Sequence, residues 1–146
     1  MDILAGIFTN KYVIIPAIIW LITGFIKVGV AYIFDRRIDL SRIVGTGGMP
    51  SSHTSYIVSL AVVIGKNSGW RSPEFGVAFA FALIVMSDAA GVRRAAGEQA
   101  KLLNSLMTTH FPGEEFSKKL KELLGHRPLE VIVGAVMGVI LGMLLG

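Results

Sequence analysis

The run from Tyr12 to Phe34 is apolar apart from Thr23 and Lys27, and no other feature restricts the fold as strongly. Its 23 residues would rise about 34 Å as a helix, enough to cross a hydrocarbon core of about 30 Å. It reads as a transmembrane helix. A cleavable signal is excluded, because Met1 to Asn10 holds no basic cluster, the run is too long and no small-residue cleavage site follows it.

Further runs repeat the pattern. Tyr56 to Gly65 is apolar but short, so it crosses only if its helix begins within the membrane or continues past Lys66. Phe75 to Val92 is the third run, after a turn, Lys66 to Pro73, with an interfacial Trp70. Its helical pattern continues through Arg93 and Arg94 toward Leu103, with Arg94 and Glu98 spaced i,i+4. The HFPG stretch at His110 to Gly113 breaks it. Phe116, Leu120, Leu123 and Leu124 then recur among lysines as an amphipathic helix lying on the membrane surface would place them. Leu129 to Leu145 is the last run, opened by Pro128 at a helix-start position.

The expected architecture is therefore all-α: one integral membrane domain over residues 1–146, a bundle of about four transmembrane helices near 12–34, 53–66, 75–92 and 128–145, plus a surface amphipathic helix. Composition agrees, since 53% of residues are hydrophobic and 16% charged, against about 25% charged in an ordinary soluble domain. The absence of cysteine excludes disulfides and thiolate chemistry. The net charge of +4 does not point to nucleic acid, because the excess Lys and Arg flank the apolar runs. Seven of them lie between the third and fourth runs and three between the first and second, whereas the turn at Lys66 and Arg71 holds two. With four crossings, the positive-inside rule puts the first and third connections in the cytoplasm and both termini outside, in the cytoplasmic membrane of a prokaryote.

Gly134, Gly138, Gly142 and Gly146 repeat every fourth residue and strip one face of the last helix to near-bare backbone. Such a face admits a second helix closely, either within the chain or as a homodimer contact through Gly134, Gly138 and Gly142.

Three polar clusters fall at run ends that this topology brings to one side. In the first, Gly47-Gly48-Met49-Pro50-Ser51-Ser52-His53, the glycines free the backbone and Ser51 or Ser52 is suited to cap the following helix. The helix N-terminus, the serine hydroxyls and His53 make a seat for an anion, or simply a capped helix with an interfacial histidine. The second cluster sets Asp88 near the end of an apolar helix, where an ionisable group is costly, and follows it with Arg93 and Arg94. A guanidinium there suits phosphate bidentately or serves as a headgroup anchor. In the third, Glu130 lies four residues after His126 and either holds one imidazole nitrogen or closes back on Arg127 as half of a capping box.

Two histidines, several cations and a helix N-terminus suggest phosphoryl transfer with no metal and no cofactor. One imidazole attacks phosphorus in line, the other protonates the leaving oxygen, and Arg or Lys offset charge on the equatorial oxygens.

At these residues the sequence resembles the divergent branch of the type 2 phosphatidic acid phosphatase superfamily, related to acid phosphatases and vanadium haloperoxidases. GGMPSSH, SDAAGVRRAAGEQA and ELLGHRPLEVIVGA carry the likeness, which runs from about Lys27 to the C-terminus. It implies a membrane lipid phosphatase whose substrate is a lipid phosphate or pyrophosphate. His53 takes the place of the superfamily's acid/base histidine, with Ser51 as a phosphate donor and Ser52 where glycine is usual. His126 takes that of the nucleophile, with Glu130 in place of aspartate; the Arg of that block is Leu120 here, for which Arg93 or Arg94 would substitute. The superfamily's Lys and Arg-Pro block is not present as such, and Lys27 with Arg36 or Arg37 stands loosely in its place. The competing readings are a non-catalytic binder or transporter of anionic lipid headgroups, and a structural membrane subunit assembled through the glycine stripe.

Overall fold

The computed structural model describes residues 3–36, 38, 40–43, 48–110, 120 and 126–146, and among these every regular element is a helix. The first, α1 (Ile3–Thr9), ends at Asn10, whose side chain accepts from the Tyr12 amide and so caps α2 (Lys11–Asp35). Arg36 closes α2 in the left-handed region with φ 53°, its N–H donating to the Tyr32 carbonyl. A 3₁₀ turn at Leu40–Ile43 lies back on α2 at Gly24, where an added Cβ would stand 3.1 Å from Ile43 Cγ2.

Ser51 caps α3 (Ser52–Ser68), and Ser72 caps α4 (Pro73–Ser87) by accepting from the Phe75 amide at 3.1 Å. Pro73 at the first position of α4 forgoes an N–H that no helical carbonyl could use. Between these helices Gly69 adopts φ 97° and Trp70 folds against Gly65, its ring edge-on to Phe75 at 5.2 Å. From Ser87 the chain passes through a π turn, Asp88–Val92, into α5 (Arg93–His110). The last helix is α6 (Pro128–Leu145).

Among the described residues, three stretches are long and apolar enough to cross a membrane: Lys11–Ile33, Pro73–Thr109 and Pro128–Leu145. The 37 residues of the second would rise about 55 Å, well beyond one hydrocarbon thickness, so a single crossing does not use the whole stretch. The remaining expected span, 53–66, is α3, of 17 residues and about 26 Å. It is marginal by composition for a structural reason. Helices α2, α4 and α6 all pack around it, and Ser52, Thr54, Ser55 and Ser59 are buried against protein rather than lipid.

Directions follow from the contacts. Lys11 Nζ reaches Asn67 Oδ1 at 2.6 Å and, at the far end, Lys27 Nζ reaches Ser52 Oγ at 3.3 Å, so α2 runs antiparallel to α3. Gly65 beside Phe75, with Val58 and Val62 clustered on Ala82 and Met86, makes α4 antiparallel to α3 too. Gly134 faces Ser51, Gly138 faces Ser55 and Val58, and Gly142 faces Val62, so α6 runs parallel to α3. The glycine stripe is thus occupied within the chain. A dimer through it would have to displace α3.

Outward-facing residues such as Phe25, Phe79, Phe81, Ile132, Ile140 and Leu144 are large, apolar and exposed, as a bilayer solvent allows. The amphipathic helix expected around residues 116–124 lies outside the described residues, except Leu120, whose backbone N–H and C=O pair with the Asn104 side chain at 3.0 and 2.8 Å.

Candidate functional site

The helix directions bring four elements to one end: the C-terminal half of α2, the N-terminus of α3, the π turn and the N-terminus of α6. Two backbone hydrogen bonds tie the last three together. Ser51 N–H donates to the Glu130 carbonyl at 3.1 Å, and His126 N–H donates to the Ala89 carbonyl at 2.9 Å. The three polar clusters of the sequence therefore share one neighbourhood.

At its centre is His126, 4% exposed. Its Nδ1 lies 2.8 Å from Glu130 Oε2, and the same oxygen accepts from the Arg127 amide at 3.2 Å. Both arrangements open to Glu130 in the sequence are realised by one atom. An ionised carboxylate only accepts, so Nδ1 carries a proton, and in the neutral ring the lone pair is then on Nε2. Nε2 is buried and has no hydrogen-bond partner. A buried polar atom left unpaired is costly, and this one asks for an explanation.

Lys27 supplies the cation. It is 1% exposed although it lies eight residues, or about 12 Å, before the end of α2. Its ammonium donates to Ser52 Oγ at 3.3 Å and shares this end of the bundle with the Glu130 carboxylate and with Arg42 of the 3₁₀ turn. The Gly48 backbone, at φ 84°, closes over its stem: a Cβ there would stand 3.5 Å from Lys27 Cγ. Below it a hydroxyl ladder continues into the bundle, with Ser55 Oγ donating to Thr23 Oγ1 at 2.9 Å and Thr23 to the Ile19 carbonyl at 2.7 Å. Neither Arg42 nor Thr23 is a site candidate in the sequence, where Thr23 appears only as a polar break in the first apolar run. The only available hint for Arg42 was Gly24, one turn from Lys27, which leaves room for the 3₁₀ turn to approach.

The other sequence candidates are distributed around this centre. Ser51 is fully buried and its Oγ accepts from the Thr54 hydroxyl at 2.9 Å and the Thr54 amide at 3.4 Å. His53 is exposed and lies two residues, about 200° around α3, from Ser55, so it stands on a different face of α3 from the one meeting α6. Asp88 is half-buried at the start of the π turn. Arg94 is exposed and pairs with Glu98 at 3.2 Å, the expected i,i+4 contact. Arg36 is exposed at the end of α2, while Arg37 and the Arg93 side chain lie outside the described residues.

A model of the Divergent PAP2 family matches residues 8–141, which include every residue of this site. The uncharacterized membrane protein YuiD of Bacillus subtilis (strain 168) is 42% identical over 132 residues, which cover 82% of this chain and 84% of that protein. No solved structure matches the chain.

Proposed function

The chain belongs to the Divergent PAP2 family, and from that premise we propose that it hydrolyses a phosphate monoester or pyrophosphate carried by a membrane lipid. The observation that carries the reading is the His126–Glu130 pair, with Nδ1 held at 2.8 Å and Nε2 unpartnered.

In this reading His126 Nε2 attacks phosphorus in line, a P–N bond forms and the bond from phosphorus to the leaving oxygen breaks. His53 gives that oxygen a proton, then takes one from the water that splits the phosphohistidine and releases phosphate. Glu130 steadies the positive charge that develops on His126. Lys27 and Ser52 offset charge on the phosphoryl oxygens, with Ser51, Arg36, Arg93 and Arg94 as further candidates and Asp88 as support. The reaction needs no cofactor. The protein sits in the cytoplasmic membrane of a prokaryote with the His126 end toward the cytoplasm, a placement supported by the Lys and Arg excess of the connections at that end.

The test is phosphate release from dioleoyl phosphatidate and from a prenyl pyrophosphate in detergent micelles. His126→Ala abolishes release and the acid-labile phosphoprotein that wild type forms; equal turnover by the two proteins would refute the reading.

A second reading, a non-catalytic binder of anionic lipid headgroups, draws on two observations: Ser51 Oγ is engaged by Thr54, and His53 stands off the face of α3 that meets α6. Saturable binding of both lipids without release of phosphate would establish it.

A further inference from the structure

The helix that starts at Pro73 does not run evenly to His110. It widens into the π turn Asp88–Val92 and then resumes. No proline lies in Asp88-Ala89-Ala90-Gly91-Val92 to force the change. A π turn inserts one residue into the i→i−4 ladder, which leaves one carbonyl of the turn without its regular helical donor. Here the Ala89 carbonyl, in a residue 4% exposed, accepts the His126 N–H at 2.9 Å.

That bond is one of two that set the imidazole. The other is Glu130 Oε2 to Nδ1, made from within α6. The carboxylate fixes the ring's tautomer and orientation but rides on the same segment as the ring, so it cannot register His126 against the rest of the bundle. The Ala89 carbonyl can, because it belongs to a different crossing helix. We propose that the π turn is a positioning device for His126: its extra residue frees the Ala89 carbonyl, which holds the His126 backbone in the register that leaves Nε2 buried and unpartnered. The inference rests on the reading of His126 as the group that attacks phosphorus. Ala89 itself touches no substrate and acts only through His126.

The test removes the extra residue. Deletion of Ala90 lets the turn close as ordinary α-helix and supplies Ala89 with a helical donor. With dioleoyl phosphatidate as probe, kcat falls about 100-fold or more with little change in KM, the size expected when a reacting group shifts by about 1 Å. The His126 amide in the full chain loses its protection from hydrogen exchange, because its acceptor, the Ala89 carbonyl, is taken by a helical donor. Gly91→Ala keeps the residue count and adds a Cβ with nothing within 4 Å, so both readouts stay as in wild type. An alanine inserted between Val92 and Arg93 of the deletion variant restores the count and recovers both. A folded deletion variant with wild-type kcat and a His126 amide as protected as in wild type would overturn the proposal. Should that variant not fold, amide exchange in the unaltered protein decides: the His126 amide is protected, and exchange as fast as in an exposed loop refutes the bond to Ala89. If wild type releases no phosphate from any lipid tried, the hydrolase reading falls alone, and the exchange measurements still decide what the π turn does.

Discussion

Glu130 Oε2 stands 2.8 Å from His126 Nδ1 across the turn that opens α6, and it also receives the Arg127 amide at 3.2 Å. Glu130→Gln separates the two duties. An amide oxygen still accepts from Nδ1–H and from the Arg127 amide, so the helix start survives and the thermal midpoint moves by a few degrees at most. A neutral amide cannot steady an imidazolium, so hydrolysis of dioleoyl phosphatidate falls about 100-fold or more. Glu130→Ala loses both duties and also about 1 kcal/mol of stability with the cap. Turnover and melting curves on the two variants check this; equal activity of wild type and Glu130→Gln would remove the carboxylate from the chemistry.

Lys27 is the second residue whose burial asks for an explanation, being 1% exposed with Ser52 Oγ at 3.3 Å. Lys27→Met keeps the length of the side chain and removes the charge. Glu130 retains His126 Nδ1 and the Arg127 amide as donors, so no carboxylate is left unpaired and the fold persists. The expected outcome is a loss of about 100-fold in kcat/KM, the size found when one preorganised donor is removed from a developing anion. Titration with inorganic phosphate as competitor gives the companion measurement, in which the variant binds more weakly.

Much of this end of the molecule could be read from the chain because each polar cluster adjoins an apolar run, and run lengths decide which ends coincide. Glu130 four residues after His126 and Arg94 four before Glu98 are local relationships, and local spacing carries them. Lys27 against Ser52 is not local: 25 residues separate them, and the contact exists only because α2 and α3 are antiparallel and staggered to bring those levels together. The π turn left no trace in the sequence, since Asp88-Ala89-Ala90-Gly91-Val92 suits an α-helix as well as a wider turn. What selects the wider turn is the tertiary bond to His126, 37 residues further on. Helix α3 reads as a marginal span for a related reason, because its hydroxyls answer to neighbouring helices that no local window includes.

The glycine stripe gives a prediction on stability. A Cβ at Gly138 would stand 2.8 Å from the Ser55 carbonyl oxygen and 2.9 Å from Val58 Cβ, and one at Gly134 would meet the backbone of Ser51. Backbone cannot retreat as a flexible side chain can. Gly138→Leu therefore pries α6 from α3 and costs about 2 kcal/mol or more, by the magnitudes known for overpacked cores. Gly29→Ala, where nothing lies within 4 Å of the new Cβ, leaves the midpoint unchanged. Denaturation in detergent distinguishes the two, and a Gly138→Leu protein as stable as wild type would contradict the packing described here.

His53 is the test of how the leaving group departs. It is exposed, on a different face of α3 from Ser55, whereas His126 is buried. A general acid matters in proportion to the basicity of the oxygen it protonates. A lipid alkoxide is strongly basic and needs the proton, whereas p-nitrophenolate leaves without help. If His53 donates that proton from the open side of the site, His53→Ala lowers turnover of dioleoyl phosphatidate by about 100-fold or more and leaves formation of the phosphoenzyme from p-nitrophenyl phosphate nearly unchanged. His126→Ala, in contrast, abolishes both, because no leaving group replaces a missing nucleophile. Equal losses with the two substrates in His53→Ala would mean that the residue holds phosphate or the fold rather than the proton. No loss with either would pass the acid's role to another group at this end of the bundle, of which Asp88, half-buried in the π turn, is the nearest in kind.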